Sequence, residues 1–221
     1  MKGLLIKDLK LMKNQKNFFL VILVVIAFLA AGSDDLSFPM GFTAFIGTLF
    51  TLSSISYDEF DNGNAFLFSL PITRKQYVLE KYGFGLLLGI GSLLTAVCLL
   101  SAVRLVKGEL SSVGRLSEIG FTVLAVLALN WGFLALMLPL QLKFGSEKGR
   151  VAILGVFGVA AVLGMLASKS AAFFRINMAA VWDGLSAMGV GMAGVLLLVL
   201  SFGILVCSMA VSMAIVKKKE F

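Results

Sequence analysis

Two groups of residues in this chain combine charge and spacing in a way that could support specific recognition. The first is Lys7, Asp8 and Lys10. At 100° per residue, Met1, Leu4, Leu5, Leu9, Leu11 and Met12 fall on one arc of a helix, and Lys2, Lys7, Lys10 and Lys13 on the other. Asp8 falls inside the apolar arc, where a lone acid needs a cationic or hydrogen-bonding partner. The second group is Asp58, Glu59 and Asp61, with Phe60, Phe66 and Phe68 among and after them. A short apolar run, 65–70, follows the acids and is ended by Pro71. Aromatic side chains beside charges on such a run suit docking onto another protein. The alternative is a loop packed under its own helices.

Catalysis finds little support. The sequence has no histidine, which removes the commonest general base and the commonest metal ligand. No HExxH or GxSxG pattern occurs, and Gly145-Ser146-Glu147-Lys148-Gly149 does not complete a phosphate loop. The two cysteines, Cys98 and Cys207, lie in apolar stretches and are expected to be packed thiols rather than a disulfide.

The elements that must position these groups follow from the distribution of charge. Six stretches, 18–32, 38–56, 83–103, 119–142, 151–168 and 186–216, contain no Asp, Glu, Lys or Arg. About 20 apolar residues cross a bilayer as a helix, so the sequence predicts an all-α, polytopic membrane protein with six spans. With a mean hydropathy of +1.00, little of the chain remains for an extramembrane domain. Residues 1–221 therefore read as one transmembrane domain. The 15-residue first stretch also resembles a signal-peptide core, but Gly32-Ser33-Asp34-Asp35 offers no clear cleavage site.

The net charge of +7 is distributed by topology and does not mark a nucleic-acid surface. Fourteen of the 19 Lys and Arg residues fall at the N-terminus, in 57–82, in 142–150 and at the C-terminus; five fall on the other side. The positive-inside rule then places both termini in the cytoplasm, in a plasma membrane whose anionic headgroups meet the basic face. The spans hold no ionisable group with which to couple transport to an ion. A membrane protein with a structured inner face and no motor implies a motor on another chain.

Along the chain, 1–17 reads as an amphipathic helix in the inner interface, although a solvated basic tail is the simpler reading. Asn62-Gly63-Asn64 is a turn signal, and Thr73 with Gln76 forms a capping box that starts a helix running into span 3. Asn130 in span 4 is expected to make an interhelical hydrogen bond. The spacings Gly85/Gly89, Ala160/Gly164 and Gly155/Gly158 permit close helix approach. The outer segment 169–185, with Phe173, Phe174 and Trp182, reads as one or two short external helices.

The opening MKGLLIKDLKLMKNQKNF, the stretch SISYDEFDNGNAFLFSLPITRKQYVLEKY and the six-span plan resemble ABC-2-type permeases of Gram-positive bacteria. They resemble in particular the small permease subunits of exporters for phenol-soluble modulins and other antimicrobial peptides. The resemblance implies a pair of permease protomers, identical or different, and two copies of a cytoplasmic ATPase that binds ATP and Mg. It makes 1–17 the interface helix and the segment around 58–70 the coupling helix, with 142–150 a second contact. Peptide export is the activity it implies. A peptide-binding immunity or regulatory protein of the same fold, and an exporter of lipids or small hydrophobic drugs, are the alternatives. A membrane-embedded enzyme would need converging polar groups that the sequence does not show.

Overall fold

The computed structural model describes residues 2–32, 37–60, 63–107, 114–173 and 190–219, with few side chains described between 146 and 173 and none at 114–118. Every element among them is a helix. α1 (Lys2–Asn14) and α2 (Lys16–Gly32) are separated by Gln15 and meet at a 66° bend. α3 (Ser37–Glu59), the short α4 (Gly63–Ser69) and α5 (Arg74–Lys107) follow. α6 (Gly114–Phe173) and α7 (Val190–Lys218) complete the bundle.

Four segments, Ser37–Glu59, Arg74–Lys107, Ile119–Gly145 and Gly191–Lys218, are long and apolar enough to cross a membrane, and the bent pair α1 plus α2 makes a fifth candidate. The expected count of six therefore stands at four or five among the described residues. α2 has only 17 residues, and the predicted stretch 151–168 contributes helical backbone to α6. The cytoplasmic segment expected at 142–150 is helical on both sides of a break at Gly145 (φ 76°, ψ 179°). Glycine adopts that conformation without strain, so a single residue kinks the helix there. Of the expected external segment, 169–173 extend α6, while 174–185 lie outside the described residues.

Local signals act as the sequence predicts. The Thr73 N–H donates to Gln76 Oε1 (3.1 Å) and the Gln76 N–H donates to Thr73 Oγ1 (3.2 Å), so the capping box opens α5 at Arg74. Pro39 sits in the first turn of α3, where a missing N–H costs nothing. The expectation of packed thiols is overturned. Cys98 and Cys207 are free but lie on exposed helix faces, because Gly85 and Gly89 on α5 and Ser208 and Ser212 on α7, not the cysteines, take the close-packed positions.

The main core joins α1, α3, α4, α5, α6 and α7 through Leu4, Ile55, Leu67, Tyr77, Leu138 and Val216. Within it, Pro139 lies inside α6 and cannot donate to the carbonyl of Ala135, four residues earlier. The Ser208 hydroxyl of α7 donates to that carbonyl, and Tyr82 of α5 bonds both Ser208 (2.7 Å) and Ser212 (2.8 Å). A freed carbonyl in an apolar interior is thus repartnered by a neighbouring helix. Ser208→Ala should leave it unsatisfied and lower unfolding stability in mixed micelles by about 1–3 kcal/mol. Ser201→Ala, whose hydroxyl donates to the Leu198 carbonyl of its own helix, should change it far less.

Candidate functional site

Three helices bring charge together at the α1 end of the bundle. α3 presents Ser54 and Asp58, and α5 presents Tyr77 and Lys81; each pair is spaced i, i+4, so its side chains share a face. α1 presents Lys7 and Asp8 across from them. The Lys81 ammonium lies 2.5 Å from Asp8 Oδ2 and 2.8 Å from Asp58 Oδ2, and donates to Ser54 Oγ at 3.1 Å. Lys7 pairs with Asp58 and lies 3.2 Å from Asp8 Oδ1, while the Tyr77 hydroxyl donates to Asp58 Oδ2 at 3.2 Å. Asp8 and Lys81 are wholly buried. Glu80, also buried, lies 3.8 Å from the Lys81 ammonium, and its carboxyl oxygens have no hydrogen-bond partner among the described residues. The cluster couples α1, α3 and α5 through full charges. Removing one member leaves another buried and uncompensated.

A second set of contacts ties the chain ends to this junction. Arg74 Nη1 donates to the carbonyls of Val216 (3.2 Å) and Lys217 (2.7 Å), capping the last turn of α7. Lys219 Nζ lies 3.4 Å from Glu59 Oε1 and donates to the Leu142 carbonyl at 3.2 Å. α4 is held from below by buried Leu67 and by Phe68, whose ring meets Tyr77 edge-on at 5.5 Å. Its other face is open: Phe66 is 70% exposed, and Phe60, just after α3, is 72% exposed. Between α1 and α4 runs a groove of about 510 Å³, lined in part by Leu4, Lys7, Asp58, Phe66 and Leu70.

The residues singled out in the sequence thus divide. Phe60, Phe66 and Lys10 face outward. Asp8 is the buried acid its position in the apolar arc demands, and its partner is Lys81. Asp58 and Phe68, expected on an exposed docking run, are turned inward, and Glu59 is drawn to Lys219. Asp61 lies outside the described residues. Lys81, Tyr77, Ser54 and Glu80 were not foreseen as site residues. A signal was present in the i, i+4 pair Tyr77/Lys81 immediately before an uncharged stretch, but Lys81 carried weight only as a topology charge.

Higher in the bundle, the Asn130 amide donates to the Ala44 carbonyl (2.7 Å) and Thr48 Oγ1 (2.5 Å), the expected interhelical bond. Gly85 and Gly89 of α5 lie against Leu134 and Asn130 of α6 with no room for a side chain, so that small-residue pair does mark a close approach.

A bundle of membrane-capable helices whose buried ionic groups gather at one end, beside a bent N-terminal helix pair, defines a multi-pass membrane protein. Residues 3–217 match the ABC-2 family transporter protein family, nearly the whole chain, and the chain belongs to that family. No curated protein shows a significant match to it. Family membership makes this chain a membrane component of a transporter.

Proposed function

We infer that the chain is the permease subunit of an ATP-driven exporter whose cargo is an amphipathic or hydrophobic peptide. The observation that supports this reading is the pairing of family membership with two exposed aromatic side chains, Phe60 just after α3 and Phe66 on α4, next to the ionic junction. A separate ATPase subunit binds ATP and Mg and seats this patch in its surface. Two such subunits serve two permease protomers, with both chain termini on the cytoplasmic side. Closure of the ATPases pushes on α4 and the end of α3. The ionic junction passes that movement to α1 and α5, biasing the bundle between two packings. Asp58 and Asp8 in this scheme transmit force and do not touch the ATPase; Lys10 remains on the open face of α1. Uncharged spans suit a cargo that partitions into lipid.

The test is Phe60→Ser with Phe66→Ser in vesicles containing the cognate ATPase. Loss of two exposed aromatic anchors should weaken docking and lower transport-coupled ATP hydrolysis at least tenfold, equivalent to about 1.4 kcal/mol. Insertion and thermal stability should be unchanged, since neither ring is packed. ATPase stimulation at the parent level would show that this patch is not the docking element.

A further inference from the structure

A groove of about 840 Å³ runs along α2 where it faces α3 and α5. Leu23 and Ile26 of α2, Ile46 of α3, and Leu88 and Gly91 of α5 form its walls. At one end stand Lys13, in the last turn of α1, and Lys16, the first residue of α2. We propose that this groove binds an anionic phospholipid, with one acyl chain along α2 and the phosphodiester between Lys13 and Lys16.

Three observations point to that occupant. The first is length: from Lys16 to Ile26 is ten residues of helix, about 15 Å, and half of a hydrocarbon layer of about 30 Å is the same. The groove is therefore one leaflet deep. The two lysines sit at the 66° bend, where basic α1 must turn to stay out of the hydrocarbon, which is headgroup level.

The second is charge. Lys13 and Lys16 are exposed and pair with no described residue. Of the acids whose side chains are described, Asp8, Asp58 and Glu59 are paired inside the chain and Glu80 is buried 3.8 Å from the Lys81 ammonium, so a second copy offers these lysines no accessible partner from that set. A phosphodiester supplies the missing negative charge.

The third is the wall. Its hydroxyls are spent on their own helices: Thr43 donates to the Pro39 carbonyl (2.7 Å), Ser92 to the Gly89 carbonyl (3.0 Å) and Thr95 to the Ser92 carbonyl (2.7 Å). Away from the two lysines, the carbonyls of a peptide lying along this wall would find no free hydroxyl donor, whereas an acyl chain asks for none. The proposal does not depend on which side of the membrane α1 faces.

Leu20, exposed at the groove edge, serves as a reporter. The full-length Leu20→Trp protein is placed in phosphatidylcholine vesicles holding brominated-chain phosphatidylglycerol or brominated-chain phosphatidylcholine. Quenching in excess of the parent protein is then read. The phosphatidylglycerol form should displace phosphatidylcholine at the reporter. Lys13→Gln and Lys16→Gln should each reduce that preference about five-fold, Lys→Arg at both positions should preserve it, and Lys75→Gln, remote from the groove, should leave it intact. Equal quenching by both lipids, or a preference that survives the double Gln variant, overturns the proposal. So does protection from both lipids, which would mean that protein covers the groove.

Discussion

Lys81→Met should destabilise this protein by about 3–5 kcal/mol, the largest single-residue effect expected outside the backbone. The ammonium lies within 2.8 Å of two carboxylates from two different helices, and neither it nor Asp8 reaches solvent. Removing it leaves Asp8 and Asp58 facing each other with only half-exposed Lys7 between them. The strain should fall on α1, whose buried contacts are Leu4 and Asp8. Detergent-titrated unfolding gives the magnitude, and amide exchange shows whether α1 is released first. Converting the acids as well, Asp8→Asn and Asp58→Asn with Lys81→Met, should recover much of the loss, because the cost comes from unpaired charge and not from the missing side chain. If Lys81→Met unfolds like the parent and α1 stays protected, the ionic junction does not hold the interface helix.

The second large effect is expected at the α5–α6 crossing. A Cβ at Gly89 would stand 2.5 Å from Asn130 Oδ1, and Asn130 cannot yield freely because its amide is bonded to Ala44 and Thr48. Gly89→Ala should therefore force the helices apart or break those bonds, a loss of about 1–3 kcal/mol. Helix propensity works the other way, favouring alanine by up to about 1 kcal/mol. Gly132→Ala on α6 isolates that term, since nothing lies within 4 Å of its Cβ position. It should be neutral or mildly stabilising. Equal behaviour of the two variants in the same unfolding assay would remove the case for a tight crossing. Loss at Gly89 should also appear as lost transport, since the two helices could no longer repack against one another.

The two predictions concern places that the sequence marked unequally. Gly89 belongs to a small-residue pair visible in the sequence, but such pairs are common in glycine-rich spans, and only the position of Asn130 shows which one is in contact. Lys81 was counted as a charge that orients the chain, not as the centre of a buried cluster. Asp58 looked exposed because acids at a helix end ordinarily are. It is buried because α5 brings Lys81 and Tyr77 against it and α1, packed on α5, adds Lys7.

What the sequence determined by itself is whatever depends on near neighbours or on periodicity. The uncharged stretches that demand a bilayer, the amphipathic arc of α1 with an acid inside it, the capping box at Thr73 and the aromatic run before Pro71 are of this kind, since each is decided within one continuous run of residues. Tertiary structure decided the partners: Lys81 for Asp8, 73 positions along the chain, Ser208 for the carbonyl that Pro139 leaves open, and the inward turn of Asp58 and Phe68. Such pairings depend on how whole helices cross, and the crossing is set by the summed fit of many side chains, which no local run of residues encodes.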